Sequence, residues 1–120
     1  MSASERPAPN WRHQLFFGYV LVMLLVFLVP VPATPLEESR HFDKVVHFGI
    51  FLGFALLLHV AYLARAGSTF LISVAFAAGI EVLQWALPYR RADSWDFWAG
   101  SAGAVAALLL IIARGRGVAG

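Results

Sequence analysis

The chain has 120 residues, of which 60% are hydrophobic and 13% charged, with a net charge of +2 and no cysteine. This balance lies outside the usual range of a soluble domain and within that of a small polytopic membrane protein of one domain. The absence of cysteine excludes disulfides, thiolate metal sites and cysteine nucleophiles, and a small basic excess is what the flanks of membrane spans produce, so no nucleic-acid partner is read from it.

A span needs about 20 mostly apolar residues at a rise of about 1.5 Å each. Four windows qualify: Gln14 to Ala33, Val45 to Ala64, Thr69 to Leu87 and Trp95 to Ala113. None shows the alternation of a barrel strand, and lipid offers no partner for unpaired backbone groups. The expected fold is therefore all-α, a polytopic bundle of four transmembrane helices with short connections and antiparallel neighbours. Residues 1–13 and 114–120 read as frayed cytoplasmic tails around a membrane domain at 14–113. The first window loosely resembles a secretory signal, with Arg12 before it and Val31-Pro32-Ala33 after it. Its apolar run exceeds the ~7–15 residues of a signal core, and the prolines at 30, 32 and 35 end a helix at the interface more simply.

Trp11, Trp85, Trp95 and Trp98 fall at the span ends, where amphipathic rings anchor a helix at the interface. Gly49-x-x-x-Gly53 in the second span, with Gly100, Gly103, Ala104 and Ala107 in the fourth, are small residues that permit close helix approach and belong to the scaffold.

The strongest polar residues form three groups: Asp43-Lys44-x-x-His47, Glu81-x-x-Gln84, and Arg90-Arg91-x-Asp93-x-x-Asp96. In an up-and-down bundle all three reach the same membrane surface. Asp43 and His47, four apart, share a helix face, so that the carboxylate can orient the imidazole. Glu81 lies about one turn deeper than Gln84, and an ionisable residue inside a span costs ~2.5–3.5 kcal/mol on insertion scales. Lys44, His47 and Arg90 are its candidate partners. Asp93 and Asp96 open the fourth span, where the helix dipole favours negative charge, and Asp93 is a candidate N-cap. His13, His41 and His59 lack such company and read as interfacial or packing residues.

Asp43-Lys44-Val45-Val46-His47-Phe48, Gly79-Ile80-Glu81-Val82-Leu83-Gln84, and Pro88-Tyr89-Arg90 with Asp93, Asp96 and Gly103 resemble, in order, the signatures of VanZ-like membrane proteins, named after a teicoplanin-resistance protein. The likeness covers roughly Gln14 to Ala113. It implies a four-helix protein of the bacterial inner membrane, linked in some members to resistance to a lipid-anchored glycopeptide antibiotic, without implying a biochemical activity. One position departs: where such proteins usually carry Asn, four residues after the last Asp, this chain has Gly100.

Three functions suit these residues. The first is binding of a membrane lipid or a polyprenyl-linked envelope precursor, with Lys44 and Arg90 holding phosphate and Asp43, His47, Glu81, Gln84, Asp93 and Asp96 completing the head-group site. The second is an intramembrane hydrolase or transferase, in which His47, polarised by Asp43, is base or nucleophile and Glu81 or Asp96 the acid. The third is a proton-coupled transporter built on Glu81, weakened by the lack of a carboxylate relay in the other half. A metal set of Asp43, His47 and Glu81 lacks a second histidine or a cysteine, so no metal or cofactor is expected.

Orientation follows the short-loop cations. Arg6, Arg12, Arg65, Arg114 and Arg116 share one side; Arg40, Lys44, Arg90 and Arg91 share the other, interleaved with Glu37, Glu38, Asp43, Asp93 and Asp96. The first set, with only Glu5 nearby, is placed inside, so both termini are cytoplasmic and the polar groups face outward. Reporter fusions at Gly120 and within residues 37–40 should report opposite compartments, and an external carboxyl terminus would reject this topology.

Overall fold

A computed structural model describes residues 10–29, 40–88 and 93–119, the side chains of 40, 41 and 116–119 apart. The expected connections at 30–39 and 89–92, with Arg90 and Arg91, and the amino-terminal tail before Asn10 lie outside the described residues. The remainder forms four helices: α1 (Trp11–Leu28), α2 (Arg40–Tyr62), α3 (Ala66–Ala86) and α4 (Ser94–Ala119). Each is long and apolar enough to cross a membrane.

Local chemistry moves several boundaries. Asn10 Oδ1 accepts from the amides of Arg12 and His13 at 3.2 and 3.4 Å, so α1 starts three residues before the expected Gln14. It stops at Leu28 instead of Ala33 because Val29, extended at φ −78° and ψ 139°, precedes Pro30, whose ring disfavours helical backbone at that position. The second helix starts at Arg40, with Asp43 in its dipole-favoured first turn. The fourth continues through residues 114–119, which the sequence reading took for a frayed tail. Between α2 and α3, Leu63 has φ 51° and the His59 ring pairs with the Ala64 carbonyl at 2.7 Å. A non-glycine residue thus holds the left-handed position that closes a helix.

Contacts fix an up-down-up-down course. Phe16 and Phe27 of α1 meet Phe54 and Phe51 of α2, and Phe76 and Glu81 of α3 meet Phe54 and His47, so both neighbours run antiparallel to α2. The most extensive interface joins α2 and α4, which run parallel. Small residues permit it. A Cβ on Gly103 would collide with the Phe48 carbonyl and stand 3.0 Å from the Leu52 nitrogen, and one on Gly100 would lie 2.8 Å from the Phe51 ring. Ala104 and Ala107 are buried alongside. Of the Gly49/Gly53 pair, only Gly53 is at a contact, under the Tyr19 hydroxyl, whereas Gly49 has open space. That hydroxyl donates to the Ile50 carbonyl at 2.5 Å.

Many large side chains of all four helices face outward, among them Phe17, Leu21, Val45, Leu71 and Leu109, as a lipid solvent demands. With no hydrophobic force between helices in lipid, association depends on close packing. Gly103→Ala should therefore destabilise the fold by about 1–3 kcal/mol, whereas Gly49→Ala, which removes backbone freedom at an open site, should be neutral or stabilise by up to ~1 kcal/mol. Thermal unfolding in micelles followed by circular dichroism checks both.

Candidate functional site

Helix direction determines what meets at one end of the bundle. The amino-terminal turns of α2 and α4 and the last turns of α3 and α1 coincide there, bringing Lys44, His47, Glu81, Gln84, Asp93 and Asp96 together. The aromatic core runs up to this layer and stops at Phe27, whose ring stacks on His47 with centroids 4.5 Å apart.

Asp93 is the cap expected from sequence: its Oδ1 accepts from the Trp95 amide at 3.0 Å, one of the donors a helix start leaves unpaired. Its Oδ2 lies 3.1 Å from Lys44 Nζ, which also reaches Asp96 Oδ1 at 3.3 Å. Capping and ion pairing thus use different oxygens of one carboxylate. Lys44 and Asp93 lie at the rim, with side chains 27% and 31% exposed, and Asp96 beneath them at 7%.

His47 sits deeper and is 6% exposed. The sequence reading oriented it with the Asp43 carboxylate; instead, its Nδ1 lies 2.9 Å from the Asp43 backbone carbonyl one turn back. A carbonyl only accepts, so Nδ1 carries the proton. Nε2 then points at Glu81 Oε1, 3.5 Å away, and Asp96 Oδ2, 4.0 Å away. Of the candidate partners for Glu81, His47 is the one present; Lys44 is committed to Asp93 and Asp96, and Arg90 lies outside the described residues. Neither separation satisfies a hydrogen bond: Nε2 and both Glu81 oxygens are buried without such a partner. His47, Glu81 and Asp96 each offer one ligand atom within 4.8 Å of the others.

Gln84 also makes a structural contact, while its buried Oε1 has no hydrogen-bond partner among the described residues. It turns toward α1, and its Nε2 donates to the Phe27 carbonyl at 2.9 Å, one of the last-turn carbonyls that α1 cannot satisfy itself. The part played by α1 was therefore missed from sequence. The available signal was the helix stop before Pro30, which leaves buried carbonyls in need of a donor. His13 stacks on Tyr62 with centroids 4.3 Å apart, and His59 closes the α2–α3 turn, so both are packing residues as expected. The His41 side chain lies outside the described residues.

The site opens sideways. A groove of about 290 Å³ between α3 and α4 is lined by Glu81, Val82, Trp85 and Ser94. Trp85, Trp95 and Trp98 are exposed at this end and Trp11 at the other, in keeping with interfacial anchoring.

The profile of the VanZ/LLP1 family matches residues 8–115, and the chain belongs to that family. No curated protein and no solved structure matches it.

The ion-pair layer also ties α2 to α4, and this can be measured. Lys44→Met strands the buried Asp96 carboxylate, so it should cost more in the native background than in Asp96→Asn. A coupling of roughly 1–3 kcal/mol is expected. A double-mutant cycle of unfolding in micelles gives the value, and additive effects would mean that the two residues do not stabilise each other.

Proposed function

We propose that this VanZ/LLP1-family membrane protein binds the head group of a membrane lipid at the Lys44–His47–Glu81–Asp96 end of its bundle, the lipid entering sideways between α3 and α4. The carrying observation is the groove itself, with apolar Val82 and Trp85 on its wall and the unpartnered carboxylate of Glu81 at its depth. Such a wall suits an amphiphile. A second, wholly apolar groove of about 350 Å³, lined by Leu24, Ile72, Phe76 and Leu83 among others, runs along the other side of α3 and can take an acyl chain.

The described charges select the head group. Lys44 is shared between two aspartates, and Glu81 offers acceptors, so sugar hydroxyls or an ammonium group pair directly with the site. Phosphate requires further cationic help. A glycolipid or polyprenyl-linked envelope precursor fits these terms. Placing the site at the outer face of the bacterial inner membrane rests on the cation distribution, and retention of such a lipid would alter what a lipid-anchored glycopeptide such as teicoplanin meets at the surface. His47 is nearly enclosed by Phe27, Glu81 and Asp96, which weighs against its acting as base or nucleophile on a bulky substrate. Binding without catalysis is therefore preferred to the enzyme reading. Transport is supported least, because the buried polar residues of the opposite half of α3 are Thr69 and Ser73, neither of them ionisable.

Native mass spectrometry of protein purified with its lipids tests the reading. Val82→Trp, which fills the groove from an exposed position, and Glu81→Gln, which keeps shape and removes charge, should each lower lipid occupancy several-fold. Leu71→Trp, on the lipid-facing surface away from the site, should not. Equal occupancy in all three would reject lateral head-group binding.

A further inference from the structure

We infer that His47 Nε2, Glu81 and Asp96 Oδ2 form a binding site for one divalent transition-metal ion of the zinc or manganese class. The ring is set for it. With Nδ1 donating to the Asp43 carbonyl at 2.9 Å, the lone pair of the neutral imidazole is at Nε2, and a backbone carbonyl on the far nitrogen is the support metal-bound histidines characteristically have. That lone pair is buried, unpartnered and aimed at two carboxylates. Three acceptors facing one another repel unless a proton or a metal cation lies between them.

Spacing separates a metal from a proton. Separations of 3.5 and 4.0 Å from Nε2 are too long for a shared hydrogen bond. Donors about 2.1 Å from a common ion stand ~3.4 Å apart in a tetrahedron and ~3.0 to 4.2 Å apart in an octahedron. The observed spread, with all three donors within 4.8 Å of one another, is that of a ligand set slightly expanded around a centre.

Charge agrees. Among the described residues, the Glu81 and Asp96 carboxylates bring two negative charges to His47 Nε2. One divalent ion matches them. Lys44 engages Asp96 through Oδ1, leaving Oδ2 for the ion and orienting the carboxylate as an outer-shell partner does. Imidazole with two carboxylates suits zinc or manganese better than the all-oxygen preference of magnesium or calcium. The groove reaching Glu81 supplies an entry path and leaves coordination positions for water or a head-group oxygen.

The inference is independent of the lipid reading and is tested on full-length protein in detergent, delipidated and stripped with chelator. Titration calorimetry and elemental analysis should find one Zn²⁺ or Mn²⁺ per chain. His47→Gln, Glu81→Gln and Asp96→Asn, each confirmed folded by circular dichroism and gel filtration, should weaken binding roughly a hundredfold. X-ray absorption of the zinc-loaded native protein should show one nitrogen among oxygen neighbours. No binding above the detergent blank, affinity unchanged in Glu81→Gln and Asp96→Asn, Mg²⁺ or Ca²⁺ bound as tightly as Zn²⁺ and Mn²⁺, or an oxygen-only shell would each overturn the site, the last even if the variants misfold. Lipid retained by metal-free protein would leave the head-group reading standing alone, and metal bound by lipid-free protein with no lipid in native preparations would do the reverse.

Discussion

Everything at the polar end depends on how closely α2 and α4 approach. With Gly103 against the Phe48 carbonyl and Leu52 amide, the two parallel helices come together backbone to backbone at that turn. Their amino-terminal turns are then held in register. Lys44 reaches both Asp93 and Asp96 in that register, and Asp96 faces His47. A wider separation would leave the ammonium and the carboxylates to find water or lipid head groups separately, and the site would not exist as a unit. The scaffold glycine and the charged residues are thus parts of one arrangement, although they lie on different turns.

A bilayer makes this arrangement both costly and necessary. An ionisable side chain at the centre of a span costs ~2.5–3.5 kcal/mol on insertion scales, and Lys44, His47, Glu81 and Asp96 gather toward one end of the bundle with Asp93 at the rim. Pairing recovers part of that cost for Lys44, Asp93 and Asp96. Glu81 differs: its nearest partner is an imidazole beyond hydrogen-bond distance, and both its oxygens lack donors. Gln84, one turn away, has a structural task in satisfying Phe27. Paired groups hold helices together even where, as at Gln84, one oxygen stays without a donor, and the ionisable atoms left unpaired at Glu81 and His47 are where a ligand gains most.

Much of this could be read from the sequence, for physical reasons that also explain what could not. Lipid forces long apolar runs and satisfied backbones, so four helices and their alternation followed directly. From alternation came the meeting of His47, Glu81 and Asp96 at one end. Helix limits were less legible, because α1 is set by Asn10 and by the residue before Pro30, and α4 continues past its apolar window to Ala119. Partner choice was least legible. Asp43 and His47 share a face, yet the short i to i−4 backbone path supplies the carbonyl first, and the rotation of α4 brings in Asp96 in place of the Asp43 carboxylate. The separate roles of Gly49 and Gly53 depend on where Tyr19 of α1 lies, which spacing within α2 does not encode.

The floor of the site gives Gly100 its meaning. Gly100 stands where the resemblance to VanZ-like proteins implies an amide, and a Cβ there would lie 2.8 Å from the Phe51 ring. Phe51 stacks on Phe27, and Phe27 on His47. An Asn one turn below Asp96 would compete for hydrogen bonds with Asp96 or His47 and would need Phe51 to move. With Gly100, the Phe51 and Phe27 rings lie beneath the charges. Apolar surroundings lower the local dielectric, which strengthens attraction between paired charges and raises the cost of an unpaired one. Glu81 and His47 Nε2, buried without hydrogen-bond partners among the described residues, bear that cost most directly.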